Sequence, residues 1–349
     1  MNPLPSLTGQ LRDRQSLARE AVADAFRALL DNDVSANDKA AFLTALAQKG
    51  ETAEEIAAFA AELRSRAVDP QIDAAAHNGV VLDVVGTGAD LAHTFNISSS
   101  VIFIAAAAGI AVAKHGNRAI TSQCGSADVL AAIGAKIELS PDAARRVLNE
   151  TGVTFLFAPH YHPAFKQIAP VRKQLAEQKQ RTVFNLLGPL VNPARPTCQV
   201  IGVFDRTLVP KYAEVLRLLG LKHALVVHGN GLDELTTLGP NTIAELWGGR
   251  VELSEKTFDF KPSGIELSAP TLKQLAGGDP ATNAQIIRNV LAGADRGPKR
   301  DIVLLNAAAA LMVAGKANGF PDGWLRAAEL IDSGAARTKL DQFVAATQQ

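Results

Sequence analysis

Residues 79–118 read GVVLDVVGTGADLAHTFNISSSVIFIAAAAGIAVAKHGNR. The apolar run from Val81 to Val85 stops at Gly86-Thr87-Gly88, and Asn96, Ser98 and Ser99 then open a helix. Thirteen apolar residues without a break, Val101 to Ala113, lead to Lys114-His115-Gly116-Asn117-Arg118. Short runs of this kind, most of them apolar throughout and not alternating, mark parallel strands covered on both faces by helices. They recur as IAVAKH (110–115), TFLFA (154–158), CQVIGVF (198–204), ALVVH (224–228) and TIAELW (242–247), separated by helical stretches. The expected class is therefore α/β, with a mostly parallel central sheet flanked by helices.

Upstream the pattern differs. No glycine or proline occurs between Leu11 and Lys49, and alanine and leucine recur at helical spacing. Ser35 with Asp38, and Thr52 with Glu55, resemble capping boxes before apolar periodic runs. This predicts a small N-terminal helical domain, residues 1–72, ending near Val68-Asp69-Pro70. His160 to Gln180 is polar and helical without a strand, and is expected to pack back on those helices and complete their domain. The remainder of 73–349 forms the larger α/β domain.

At 349 residues the chain exceeds the roughly 100–200 of one domain, which fits this division. Lys plus Arg and Asp plus Glu both number 35, so no net field draws the chain to nucleic acid or a membrane. Any anion must be recognised locally. The apolar run is shorter than the ~20 residues that span a bilayer. The N-terminus lacks a basic stretch followed by an apolar one, and the two cysteines, Cys124 and Cys198, form no disulfide framework or CxxC site. A cytoplasmic protein is expected.

Three stretches carry candidate chemistry. In GTGAD followed by TFNISSS, glycines let backbone amides approach a ligand and the helix N-terminus favours an anion, although an ordinary βα turn with a good cap reads the same way. The third glycine of a dinucleotide fingerprint is missing. In KHGNR, a strand-end loop is expected to turn Lys114 and Arg118 toward one centre, a pair suited to phosphate, unless the loop is simply solvated. In GLDEL, Asp233 and Glu234 follow the apolar run ALVVH; such a pair is either a charged turn or a Mg2+ site, since that ion takes one or two carboxylates together with substrate phosphates. All three lie at strand C-terminal ends, where ligands bind in open α/β sheets.

Together with GSADVL, LFAPHYHPAFKQIAPVRKQL, RTVFNLLGPLVNP and RDIVLLNAAAAL, these motifs resemble the anthranilate phosphoribosyltransferase family, in the same order from about residue 10 to 315. The resemblance implies transfer of the phosphoribosyl group of 5-phosphoribosyl 1-pyrophosphate (PRPP) to the amine of anthranilate, with release of pyrophosphate, in tryptophan biosynthesis. It also implies Mg2+ and a homodimer formed through the helical domains. It assigns PRPP to Gly86, Asp90, Thr94, Asn96, Ile97, Ser98, Ser99, Lys114, His115, Gly116, Asn117, Arg118, Ala119, Ile120, Thr121, Ser122 and Ser126. It assigns the metal to Ser98, Asp233 and Glu234, and the anthranilate route to Gly86, His115, Asn117, His162, Arg172 and Gly188, with Arg172 against the carboxylate.

The chain departs from the family pattern at Ala89, where a glycine is usual, at Gln123 and Cys124, where lysine and serine are usual, and in a longer loop after Arg172. No residue is assigned as general base, because an aromatic amine is already neutral at pH 7. Two rivals are a pyrimidine nucleoside phosphorylase of related architecture and a non-catalytic nucleic-acid-binding paralogue. Asn117 and the acidic pair argue against the first, and the zero net charge against the second.

Overall fold

A computed structural model describes residues 2–88, 90, 92–119, 123–259 and 270–349. Ala89, Ile120, Thr121 and Ser122 lie outside the described residues.

The chain begins with four helices: α1 (Leu4–Arg12), α2 (Arg19–Leu30), α3 (Ala36–Lys49) and α4 (Ala53–Ser65). Helix α1 starts ahead of the glycine- and proline-free stretch, because Pro5 falls in the first turn, where its missing N–H costs nothing. Ser35 caps α3 by accepting from the Asp38 amide at 3.1 Å, but Asp38 does not close the box; its carboxylate accepts from Asn2 instead, at 3.0 Å. Before α4 the box is complete: Glu55 N donates to Thr52 Oγ1 (3.2 Å), and Thr52 N donates to Glu55 Oε2 (2.9 Å). The buried Glu55 also accepts from Leu17 N and Lys49 Nζ, both at 2.8 Å, tying three segments together.

The α/β part alternates as the apolar runs predict. Strand β1 (Val81–Gly86) is followed by α5 (Ile97–Ala107) and β2 (Ala111–Gly116), so the thirteen-residue apolar run is the end of a helix, a turn at Gly109 with φ +79°, and a strand. Next come α6 (Ser126–Ile133), α7 (Pro141–Thr151), β3 (Val153–Phe157), α8 (Ala158–Tyr161), α9 (Ala164–Glu177), β4 (Cys198–Gly202), α10 (Leu208–Leu218), β5 (His223–Gly229), β6 (Asn241–Trp247) and β7 (Arg250–Lys256). The chain ends in α11 (Pro280–Leu291), α12 (Pro298–Val313), α13 (Phe320–Asp332) and α14 (Ala335–Thr347).

The strands form one sheet in the order β3-β2-β1-β4-β5-β6-β7, parallel from β3 to β5 and antiparallel from β5 to β7. The chain winds outward from β1 to β3 and then returns to build β4 and β5 on the other side. This puts the switch of winding direction between β1 and β4, with Gly86 paired to Gly202 at its carboxyl end. Strand β7 has no counterpart among the apolar runs: it is an edge strand, largely exposed and carrying Arg250, Glu252, Glu255 and Lys256. Such charges keep an open edge from pairing with other chains and erase the apolar signature.

Leu82, Val84, Val112, Val200 and Leu225 face a layer containing α5, α12, α13 and α14, while Ile201, Ala224 and Val226 share a core with α1 to α4, α9 and α10. Helix α9 packs on α2 and α3 through Ile168, Val171 and Leu175. The helical unit thus shares its core with one face of the sheet. Among the described residues, no helix is long and apolar enough to cross a membrane.

Candidate active site at the sheet's switch point

Three backbones converge beyond the carboxyl ends of β1, β4 and β5. A Cβ on Gly86 would lie 2.3 Å from Asp233 Oδ2, and one on Gly202 would lie 1.5 Å from the Asp233 carbonyl oxygen. Glycine is required at both places by close approach. Gly88, with φ +67°, donates its amide to Asp233 Oδ2 at 2.6 Å, while Asp233 N donates to Asp90 Oδ2 at 3.4 Å. Burial, reinforced by the Asp90 charge, raises the Asp233 carboxyl to about 7. Burial and the neighbouring Asp233 also hold Glu234 well above its usual range, against the pull of Lys114.

An excess of carboxylate over cationic charge in a desolvated corner is what a divalent cation relieves. Among the described residues no three His, Cys, Asp or Glu side chains converge to hold a metal by themselves. Mg2+ takes one or two carboxylates and fills its remaining positions with phosphate oxygens and water.

Lys114 belongs to β2 and is 2 % exposed; its Nζ donates to Val84 O (2.6 Å) and Ser98 Oγ (3.1 Å) at the start of α5. Burial lowers its pKa, opposed by Asp83, Glu234 and Asp233. Arg118 takes a different course. It is exposed, pairs with Asp128 (3.2 Å) and Glu138 (3.8 Å), and stands 5.7 Å from the Phe157 ring centre. The expectation that Lys114 and Arg118 face one centre is therefore not met in this structure. The strand runs on to Gly116, so Lys114 points into the α5 layer, while Arg118 lies past the strand end within reach of Asp128. The same Asp128 carboxylate accepts from Ala119 N (2.8 Å) and Gly125 N (3.0 Å), folding the loop back on α6.

Other described residues of the expected donor set lie at the starts of α5 and α6. Asn96 precedes α5, with its Nδ2 on Cys124 O (3.1 Å) and its Oδ1 accepting from Asn283 Nδ2 (2.9 Å); Thr94 bridges to Ala276. Ile97 is buried, and Ser99 is buried with its hydroxyl unpartnered among the described residues. Ser126 Oγ donates to Asn117 O at 3.4 Å, and a Cβ on Gly116 would lie 2.2 Å from that hydroxyl. Cys124 is buried, its thiol pushed up to about 11 by burial, so it is no nucleophile at neutral pH.

On the helical side of the sheet an aromatic file forms. The His115 and His162 rings are 5.1 Å apart, His162 and Phe165 are 5.7 Å apart, and Phe165 and Phe184 are 6.0 Å apart. The Arg172 guanidinium sits 5.3 Å and 5.5 Å from the two phenylalanine rings and, among the described residues, has no ion-pair partner. Burial drives His115 down to about 3 and His162 down to about 4, so both are neutral at pH 7. Among the described residues, His115 Nε2 and both His162 nitrogens are buried without a partner in good hydrogen-bond geometry, although the Val191 backbone adjoins His162. Orphaned buried polar atoms of this kind mark where a polar ligand or water belongs. The Gly188 backbone adjoins His115, and a Cβ there would meet nothing within 4 Å.

Five residues absent from the sequence-based assignment also shape the site. Gly202 supports Asp233; buried Asn306 and Asn241 bond to the backbone after Glu234. Arg64, brought down to about 10 by burial, donates to Leu190 O at 2.6 Å, and fully buried Asp83, raised to about 6, accepts from Gln199 at 3.2 Å. The available signal was a polar residue or glycine inside an apolar run, as in VVLDVV, VIGVF and LLNAAAA.

A model of the glycosyl transferase family α/β domain matches residues 78–337, and one of the family's helical bundle domain matches residues 5–67. An anthranilate phosphoribosyltransferase of Desulfosudis oleivorans is 45 % identical over 337 residues, 96 % of each chain, and one of Anaeromyxobacter dehalogenans is 47 % identical over 338 residues, 97 % of each. The chain belongs to the anthranilate phosphoribosyltransferase family. Its fold agrees: the Thermus thermophilus anthranilate phosphoribosyltransferase superposes with a TM-score of 0.89 at 39 % identity, covering 100 % of both chains. The Saccharomyces cerevisiae enzyme, solved in complex with PRPP and Mg, gives 0.85 at 28 % identity, covering 99 % of this chain and 98 % of that one. Full-length identity of this order makes the chain a phosphoribosyl-transferring enzyme and sets aside the phosphorylase and nucleic-acid-binding readings.

Proposed function

We propose that PRPP and Mg2+ meet at the switch between β1 and β4 and that anthranilate reaches them along the aromatic file from the helical side. The observation that carries this is the desolvated Asp233–Glu234 pair, packed against Gly86 and Gly202 beside the buried Lys114. The yeast relative's complexes with PRPP and Mg, and with 4-fluoroanthranilate, support it.

Asp233 and Glu234, with Ser98 beside them, are the residues that would hold Mg2+, which when bound would neutralise charge on the departing pyrophosphate. Around that position the α5 N-terminus, the Gly86-Thr87-Gly88 turn, Asp90, Thr94, Asn96 and Lys114 bind and orient the donor. Asn117 and Ser126 flank it, and Arg118 would reach the donor only by leaving Asp128. As the ribose C1–oxygen bond lengthens the sugar takes on oxocarbenium character, and fixed dipoles placed where charge develops lower the barrier.

Arg172, clasped by Phe165 and Phe184, offers a guanidinium that is unpaired among the described residues to the anthranilate carboxylate, a two-point match. His115, Asn117 and His162 steer the amine toward C1, with Gly86 and Gly188 leaving the passage open. The amine attacks as the neutral species, so no general base is invoked. Closure of the helical domain, residues 1–72 with 160–180, over the α/β domain excludes water from the reactive sugar. The active form is proposed to be a homodimer through the helical domains, which light scattering on the eluted protein checks directly. The assignment is tested by replacing Asp233 and Glu234 together with alanine. The expected result is a folded protein with at least about a hundredfold less turnover at saturating Mg2+, and unchanged turnover would overturn the metal assignment.

A further inference from the structure

Two buried asparagines bond to the backbone directly after the acidic pair. Asn306, in the middle of α12 and fully buried, accepts from Leu235 N at 3.0 Å and donates to Leu235 O and to Ile302 O, both at 2.9 Å. Asn241, also fully buried, treats the next residue the same way: its Oδ1 accepts from Thr236 N (2.8 Å) and its Nδ2 donates to Thr236 O (2.9 Å). Each side-chain amide grips both polar groups of one residue, as a neighbouring strand would. Behind them a Cβ on Gly229 would lie 2.4 Å from Glu234 O, and one on Gly202 would lie 1.5 Å from Asp233 O.

Asp233 and Glu234 lie in a bend between β5 and β6, outside any strand ladder, and two desolvated carboxylates repel. Both Asp233 and Glu234 can reach one cation only if the backbone through residue 236 is fixed before the cation arrives. Burying two asparagines in an apolar layer is tolerated because every bond they make is satisfied, and the geometry they impose is rigid.

We infer that Asn306 and Asn241 are positioning residues that preset the Asp233–Glu234 loop for its divalent cation, acting on metal and donor affinity and not on the acceptor. This rests on the assignment of the acidic pair to the metal. The test uses Mn2+ as the probe, with its binding in the presence of PRPP followed by electron paramagnetic resonance and the anthranilate KM measured alongside. Asn306→Leu removes all three bonds at similar volume; Asn306→Ala, which admits a water, replaces it should the leucine variant fail to fold. The expected result is Mn2+ binding weakened by about fivefold or more, with an anthranilate KM within about twofold of the unmodified enzyme, and the same split for Asn241→Ala. A smaller loss of Mn2+ affinity, or an equal rise in the anthranilate KM, overturns the inference while leaving the metal assignment intact. Should the Asp233→Ala, Glu234→Ala double variant bind Mn2+ as tightly as the unmodified enzyme, the metal assignment itself has failed.

Discussion

Replacing Gly202 with alanine probes the site where the fold leaves least room. The new methyl carbon would lie 1.5 Å from the Asp233 carbonyl oxygen, 2.3 Å from its carbon and 3.2 Å from its Cα, all backbone atoms that cannot rotate aside. Ordinary contact begins near 3.4 Å, so the acidic loop must retreat by close to ~2 Å or the end of β4 must bend. Misplacement of a reacting constellation by about 1 Å costs on the order of a hundredfold. The expected kcat/KM is therefore lower by at least about a hundredfold, roughly 2.7 kcal/mol, with about 1–3 kcal/mol of stability lost to overpacking. The assay is the initial rate of anthranilate fluorescence loss with saturating PRPP and Mg2+, and urea unfolding reports stability. Gly9→Ala is the matched control, since nothing lies within 4 Å of that position in α1; it should leave activity unchanged and add about 0.5–1 kcal/mol of stability. If folded Gly202→Ala keeps more than about a third of the original kcat/KM, the tight packing of β4 against the acidic loop does not govern catalysis.

Arg172→Ala should raise the anthranilate KM by about tenfold or more while moving the PRPP KM by less than about threefold; steady-state kinetics with each substrate varied would contradict the acceptor role if both rose equally. His162 is held near 4 against an ordinary 6.5, so as pH falls through 6.5 the unfolded chain takes up a proton that the folded one refuses. The stability this histidine contributes is therefore full above pH 6.5 and is lost toward pH 4. His162→Phe should flatten the fall in unfolding free energy across that window, and an unchanged slope would show that the ring takes up its proton as readily in the folded protein as in the unfolded chain. Glu55→Gln leaves at least one of Leu17 N, Thr52 N and Lys49 Nζ without its buried acceptor and should cost about 3 kcal/mol in urea unfolding, with both KM values within about twofold.

The parallel strands were legible because a strand buried on both faces leaves a mostly apolar, non-alternating run, and the Thr52 cap was legible because a capping box is a local, four-residue device. Strand β7 was not, since a solvated edge carries charge in place of apolar side chains. The separation of Lys114 from Arg118 was not legible either: whether a residue near a strand end faces one layer or the other depends on where the strand stops, and spacing does not fix that. Likewise Asn306 stands 71 positions from the Leu235 it grips. Only the folded chain shows that the two meet, although a lone asparagine in an alanine-rich buried helix already demands a partner. Gly202 hid in VIGVF because the reason for glycine there is a backbone thirty-one residues on.

The central claim, transfer of phosphoribose to anthranilate at the β1–β4 switch, is tested most directly by adding PRPP and Mg2+ to the purified protein with anthranilate and following anthranilate fluorescence and pyrophosphate together. The account predicts that fluorescence falls as pyrophosphate appears in equal amount, and that both stop when Mg2+ is chelated. Pyrophosphate release without loss of anthranilate, or phosphate-dependent cleavage of a pyrimidine nucleoside in place of either, would contradict it.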